Sequence, residues 1–314
     1  MRAPTREQAT VLKALQNQTV FLNRMVATAT ERQHKTGHTP PQSWYEDYQA
    51  RAFLREALTD AAHAGGVPRV WIEHVRERGD RGTHWRADLY LRDPEPTDWD
   101  RVLGDLYADV QRLGAWTALH AAYEQITPAS DTTTIAEVKG NLRALRYRTA
   151  GVANLLGLTR EEGRALWGDA GEWADAAIVS IDGVPAEQVM QRWQQIARVD
   201  TRSYALQATA LNNAGIGIDT AAALCTHEEL VTAITKGLIL PPALFKSAGT
   251  TGTDIDAAVD AAIRPGTAVH DTETDAPTAV FSHAASTQAW VYDPAADYDI
   301  GVPQFSSPGE GYGQ

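Results

Sequence analysis

Histidine, arginine and carboxylate side chains, which can do proton-transfer chemistry, are concentrated at residues 73–88. This stretch contains His74, His84, Arg76, Arg78, Arg81, Arg86, Glu73, Glu77, Asp80 and Asp88. Histidine beside carboxylates is suited to general acid–base catalysis, and arginine side chains can hold an anionic substrate. The same composition is also typical of a charged turn anchored by Trp71 and Trp85. An enzyme site and a structural turn are both compatible with these residues.

Other reactive residue types have spacings that argue against a catalytic or metal site. His34 and His38 are four residues apart, but the prolines that follow do not favour a shared helix face. Cys225 and His227 are two residues apart and would not face each other on a helix. The chain also lacks the phosphate-loop, dinucleotide-binding and nucleophile-elbow signatures. We therefore predict no catalytic residue, no metal ligand and no cofactor.

A second concentration of charge is basic and lies between Lys139 and Trp167. Six basic residues and two acidic ones give this window a net charge of +4; the basic ones are Lys139, Arg143, Arg146, Arg148, Arg160 and Arg164. The window is unusual because residues 151–314 hold 8 Lys+Arg and 21 Asp+Glu, whereas residues 1–150 hold 20 and 19. Clustered basic side chains are the electrostatic requirement for contact with phosphates.

Within this window, the segment YRTAGVANLLGLTREEGRALWG, residues 147–168, has the spacing of two short crossing helices. Ala153 supplies a small residue and Gly157, four positions later, supplies the turn, with apolar contacts from Leu156, Leu158 and Leu166. Thr159 and Glu162 have the spacing of a capping box that would start the second helix. Over about 20 residues this pattern resembles the helix-turn-helix motif. We find no family that resembles the whole chain.

The resemblance implies that Arg160 and Arg164 face a groove of nucleic acid, while Lys139, Arg143, Arg146 and Arg148 hold phosphates. Two features depart from the motif. Gly163 stands where a branched apolar residue is usual, and Glu161 with Glu162 would be repelled by the phosphate backbone. The alternative is a plain helical hairpin whose arginines are solvated or paired with acidic residues.

Composition places the chain among soluble globular proteins, with 43% hydrophobic and 22% charged residues. No apolar stretch reaches the length of a membrane helix, and the polar start MRAPTREQAT does not resemble a signal peptide. We therefore expect a cytoplasmic protein with no membrane partner. Arginine outnumbers lysine 23 to 5, which resembles the proteins of GC-rich bacteria.

Apolar periodicity predicts a mainly α-helical fold. Helices are predicted at 5–33, 44–63, from Pro68 to just before Gly79, 98–126, 134–147, 149–156, 160–167, from Pro185 with a restart near 200, from Thr226 to Gly237, and at 254–263. One short strand or hairpin is predicted near residues 84–91, where apolar and polar residues alternate.

Changes in composition predict the organisation of the chain. The stretch TPASDTTT has the character of a linker. We therefore expect an N-terminal helical domain at 1–127 and a second helical domain with the helix-turn-helix-like pair at 132–263. Residues 265–314 carry acidic side chains without Lys or Arg and are predicted to be an acidic tail with little structure.

These observations favour a non-enzymatic accessory or regulatory binding protein that contacts DNA through the helix-turn-helix-like segment. The first alternative is a helical structural or interaction protein of a larger assembly. It would bind a protein partner or associate with itself through its helical faces or the aromatic residues of the tail. The second alternative is an enzyme that uses the cluster at 73–88.

Overall fold

The structure, a computed structural model, describes residues 3–86, 90–126 and 132–238. These ranges contain ten α-helices and no strand, so the prediction of a mainly α fold is confirmed for them. The helices are α1 Arg6–Thr36, α2 Gln42–Ala64, α3 Arg69–Asp80, α4 Trp99–Ile126, α5 Thr132–Leu156, α6 Arg160–Trp167, α7 Ala170–Val179, α8 Ala186–Arg198, α9 Arg202–Asn213 and α10 His227–Leu238.

Several helices begin where local side-chain chemistry predicts a start. The Thr5 side chain accepts a hydrogen bond from the Gln8 backbone, and the Gln8 side chain accepts one from the Thr5 backbone, which caps α1. Thr226 and Glu229 form the same arrangement before α10. Helices α3 and α8 each follow a proline, whose fixed φ is compatible with a first turn.

Two elements differ from the expectation. The helices predicted at 134–147 and 149–156 are one continuous helix, α5, so the break near Thr149 is wrong. Thr149 is buried, and its hydroxyl donates to the Leu145 carbonyl at 2.8 Å, so a β-branched polar residue is satisfied within the helix. Helix α7 was not predicted. Its N-cap is Asp169, whose side chain accepts from the backbone of Gly171 and Glu172.

Three expectations fall wholly or partly outside the described residues. Residues 84–86 and 90–91 form no strand, and residues 87–89 of the predicted strand are not among the described ones. The helix predicted at 254–263 and the acidic tail at 265–314, with its aromatic residues, also lie outside. The chain divides into the compact units 1–266 and 267–314, and every described residue belongs to the first.

The described helices share one hydrophobic core centred on α4 and α5. Helix α4 packs against α5, α7 and α8, and α5 also packs against α9. The rings of Tyr123 and Trp193 are stacked at the centre, and Trp193 donates its indole N–H to His120 Nδ1 at 3.2 Å. Burial lowers the pKa of His120, with Glu124 opposing this effect, and the lowered pKa favours the neutral ring that accepts the Trp193 bond.

Helices on both sides of residues 127–132, where a domain boundary was predicted, contribute to this one core. Helix α2 packs on α9, and α4 packs on α5. The predicted boundary therefore lies within one packed unit, because a short polar stretch can connect two helices of one domain as well as two domains. Among the described helices, none is long and apolar enough to cross a membrane.

Candidate nucleic-acid interface

The turn between α5 and α6 is built on Gly157. Its backbone N–H donates to the Asn154 carbonyl at 3.0 Å, and the N–H of Leu158 donates to the Ala153 carbonyl at 3.2 Å. This pair of bonds ends α5 in a Schellman motif, which requires a left-handed residue. Gly157 has φ +71°, a conformation that glycine adopts without a Cβ penalty. The predicted turn glycine thus fixes the direction in which α6 leaves α5.

The start of α6 is held by Thr159 and Glu162. Thr159 Oγ1 accepts from the Glu162 backbone at 3.2 Å, and Glu162 Oε2 accepts from both the backbone and the hydroxyl of Thr159 at 2.8 Å. These bonds, the backbone one first, lower the pKa of Glu162. A carboxylate here also lies at the positive end of the helix dipole. Glu162, one of the two glutamates that depart from the helix-turn-helix motif, is therefore a helix cap.

The inner face of α6 consists of Gly163 and Trp167, which are both buried. A Cβ atom on Gly163 would overlap the backbone of Ala223. Trp167 donates its indole N–H to the carbonyl of the same Ala223 at 2.9 Å. The branched residue expected from the helix-turn-helix motif has no room at position 163, because another backbone segment packs directly on the helix.

Three charged side chains of α6 are exposed: Arg160, Glu161 and Arg164. Arg160 and Arg164 are four residues apart and so lie on one side of the helix. Within the described part of the chain, neither side chain forms an ion pair or a hydrogen bond. Arg160 still acts at a distance on Glu229, whose pKa is lowered first by hydrogen bonds from Thr226 and last by Arg160.

The four basic residues predicted on α5 differ in their environments, and Arg148 differs most from the other three. Lys139 is exposed and lies 3.6 Å from a carboxylate oxygen of Glu124. Arg143 is exposed and has no polar partner among the described residues. Arg146 is half-buried, with its guanidinium 5.0 Å from the centre of the Tyr147 ring. It lines a cavity of about 320 Å³, whose wall also includes His227.

The Arg148 side chain is mostly buried, although the sequence predicts that it contacts a phosphate of nucleic acid. Its side chain is 14% exposed and forms an ion pair with the buried carboxylate of Asp109. Its Nε donates to Gln207 Oε1 at 2.9 Å, and its guanidinium lies 5.1 Å from the centre of the Tyr204 ring. Arg112 donates to both Asp109 and Tyr204. Arg148 therefore joins α5 to α4 and α9, and these partners occupy the guanidinium that the sequence predicts on a phosphate.

The charged cluster at 73–88 is divided among separate partners. Arg76 forms two hydrogen bonds with Glu56 of α2, at 3.0 and 3.1 Å. Arg81 pairs with Glu77, and His84 accepts from Arg24 of α1 at 2.6 Å. Burial, followed by the charge of Arg78, lowers the pKa of His74. Asp88 lies outside the described residues. Arg76 thus joins α3 to α2, and His84, just after α3, contacts α1.

The lone cysteine is not arranged as a nucleophile. Burial, followed by the charge of Glu229, raises the pKa of Cys225 to about 12, so the thiol stays protonated at neutral pH. Among the residues that the structure describes, no group of three His, Cys, Asp or Glu side chains is placed to hold a metal ion.

The residues that sequence reasoning missed are the partners of the helix pair. Asp109 and Gln207 enclose Arg148, and Ala223 packs on Gly163. In the sequence each lies tens of residues from the segment it contacts, so no local motif could mark it. The chain matches no known protein family, curated protein or solved structure in the comparisons made. Its geometry is therefore the basis for a functional proposal.

Proposed function

We propose that this chain is a non-enzymatic binding protein that contacts nucleic-acid phosphates through α5 and α6. The observation that carries the proposal is that α6 is fixed at its buried residues while its arginines stay exposed. Gly163 and Trp167 hold the helix against Ala223, whereas Arg160 and Arg164 are exposed without polar partners in the described residues. A short, firmly seated helix with exposed cations is suited to positioning against a phosphate backbone.

The remaining contacts come from α5. Arg143 is exposed and supplies a third cation. Lys139 is held only by an exposed ion pair with Glu124, an interaction of small net strength that a phosphate can replace. Arg146 and Arg148 are engaged elsewhere, so the footprint keeps four of the six basic residues expected from the sequence. Binding is therefore modest in affinity and sensitive to salt.

The acidic residues around the helix pair restrict where nucleic acid can lie. Glu161 is exposed between the two arginines, and residues 151–314 as a whole carry 8 basic and 21 acidic side chains. Repulsion from these carboxylates opposes broad, non-specific wrapping. A carboxylate can also accept a hydrogen bond from the amino group of cytosine, which gives Glu161 a role in base selection.

The test is retardation of a random-sequence DNA duplex at low salt by wild-type protein and by the Arg160→Ala/Arg164→Ala variant. The variant should lose most of the retardation because it lacks both cations of α6. The matched control is Arg6→Ala/Arg32→Ala, which removes the same charge from exposed positions of α1. Equal loss in both variants would indicate a general charge effect, and no loss in either would reject the proposed interface.

A second candidate function, protein interaction, is favoured by exposed aromatic residues on α1 and α2. Phe53 is 62% exposed, and Phe21 and Tyr45 are also largely exposed. Large aromatic side chains are enriched at protein interfaces and are normally buried in monomers. In this case the chain would associate with a second copy through the exposed aromatic residues of α1 and α2, two helices that pack against each other.

Sedimentation velocity over a range of protein concentrations tests this second function. Self-association should appear as an increase in sedimentation coefficient that the Phe53→Ser/Tyr45→Ser variant abolishes. A wild-type protein that stays monomeric throughout the range would reject it.

A further inference from the structure

A cavity of about 180 Å³ lies between helices α4, α7 and α8, separate from the proposed nucleic-acid interface. Its walls are mainly apolar and include the indoles of Trp116 and Trp173 with Leu119 and Ile181. Ligand sites in proteins combine such apolar walls with a small number of polar groups that orient the ligand. An apolar cavity of about 150 Å³ is enough to hold benzene, so this one has room for a single aromatic ring.

The tryptophans at this cavity differ from the other buried ones. Trp71, Trp167 and Trp193 donate their indole N–H groups to Arg92, Ala223 and His120. Trp116 and Trp173 are 2% and 5% exposed, yet neither Nε1 has an acceptor among the described residues. Buried N–H groups are almost always paired, since burial removes their hydrogen bonds to water. The two exceptions therefore lie together, on the walls of one cavity.

The cavity also has a cationic wall, formed by Arg192 of α8, and a neutral amide from Gln111 of α4. Guanidinium groups bind carboxylates with charge-assisted and often paired hydrogen bonds. Indole rings pack favourably against aromatic rings. A carboxylate oxygen that reached either indole N–H would supply the acceptor that the described residues do not provide.

We propose that this cavity binds a small aromatic carboxylate. The ring packs between Trp116 and Trp173, and the carboxylate is directed to Arg192. The proposal does not depend on nucleic-acid binding, because none of the basic residues of α5 and α6 lines this cavity.

Titration with benzoate, followed by the indole N–H signals in two-dimensional NMR, tests the proposal. Only nine tryptophans contribute such signals, and the Trp116→Phe and Trp173→Phe variants assign two of them. Benzoate should shift both signals in a saturable way. Benzamide keeps the ring but lacks the charge, and acetate keeps the charge but lacks the ring. Each should bind at least about tenfold more weakly, because each lacks one of the two interactions.

Two variants locate the site. Arg192→Met keeps an apolar stem but removes the charge, and it should weaken benzoate binding about tenfold to the level of benzamide. Arg198→Met, on an exposed position of the same helix, is the matched control and should leave binding unchanged. Gly114→Ala adds a methyl group to the cavity wall at an ordinary distance of 3.9 Å from Ala177, so it should weaken both benzoate and benzamide without unfolding the protein.

The absence of saturable shifts at up to about 10 mM benzoate would overturn the proposal, since a site of that chemistry should be occupied there. Unchanged benzoate binding in both Arg192→Met and Gly114→Ala would overturn it as well. Gly114→Ala keeps the test valid even if a tryptophan variant fails to fold.

Discussion

Two sets of arginines within one basic stretch of sequence have opposite surroundings. Arg148 on α5 is buried and paired with Asp109, whereas Arg160 and Arg164 on α6 are exposed without polar partners in the described residues. The first holds three helices together, and the second is available to a ligand. The comparison shows that net positive charge in a stretch of sequence indicates a binding surface only when the arginines paired inside the core are left out of the count.

The spacing of buried residues along α5 already predicts that Arg148 faces the core. Position 148 comes three residues after Leu145 and four before Val152, and both of these residues are buried. An arginine on the apolar side of a helix can be expected to have a buried partner. Arg160 and Arg164 are exposed although each lies three residues before a buried residue of α6, Gly163 and Trp167 respectively. Spacing along a helix therefore predicts the environment of Arg148 but not the exposure of the α6 arginines, which the three-dimensional structure supplies.

The largest expected effect is on stability, from Arg148→Met. The substitution leaves the carboxylate of Asp109 buried with only Arg112 as a cation and removes the bond to Gln207. We expect the free energy of unfolding to fall by about 3 kcal/mol. Urea denaturation followed by circular dichroism measures it. Arg143→Met, on the same helix but exposed, is the matched control and should change stability by less than about 0.5 kcal/mol. Equal effects of the two substitutions would contradict the assignment of Arg148 to the core.

The next effect is expected from Gly163→Ala, which tests the seating of α6. The added methyl group would overlap the backbone of Ala223, so the helix must shift, and we expect a loss of about 2 kcal/mol. Gly140→Ala is the matched control, because its added Cβ meets no other atom within 4 Å. That control should stabilise the protein by up to about 1 kcal/mol through helix propensity. A neutral Gly163→Ala would mean that α6 is not packed against residue 223.

A smaller effect is expected from Thr159→Ala, which removes the cap of α6. The loss should be about 1 kcal/mol in urea denaturation at neutral pH. The Thr159 hydroxyl donates to the Glu162 carboxylate, and after the backbone N–H of Thr159 it is the second cause of the lowered Glu162 pKa. The variant loses the hydroxyl bond and keeps the backbone one. The hydroxyl bond contributes fully above the ordinary glutamate pKa, and this part of the cap is lost as the pH falls through the lowered value. The difference between wild type and variant should therefore shrink in acid, and a difference that grows would contradict this sign.

The smallest effect on stability is expected from Arg160→Ala/Arg164→Ala. Both side chains are exposed and unpaired in the described structure, so the free energy of unfolding should change by no more than about 0.5 kcal/mol. The same urea denaturation used for Arg148→Met measures this change. A loss of stability close to that of Arg148→Met would mean that the α6 arginines also stabilise the fold. That result would contradict the difference drawn between them and Arg148.

Sequence reasoning predicted the features of the site that depend on neighbours along the chain. These are the turn at Gly157, the cap at Thr159 and the bounds of α6. It could not predict the features that depend on distant residues, such as the pairing of Arg148 with Asp109 or the packing of Ala223 on Gly163. It also divided α5 in two, since a buried hydroxyl satisfied by its own helix looks like a break in the apolar pattern.

The most direct test of the central claim is the salt dependence of DNA affinity, measured by fluorescence anisotropy with a labelled duplex. Each phosphate contact contributes about −0.9 to the slope of log affinity against log salt concentration. If Lys139, Arg143, Arg160 and Arg164 are the contacts, the slope should be about −3.6, and Arg160→Ala/Arg164→Ala should reduce it to about −1.8. A slope of about −5.4, which would require all six basic residues, or a slope unchanged in the double variant, would contradict the division between core and surface arginines.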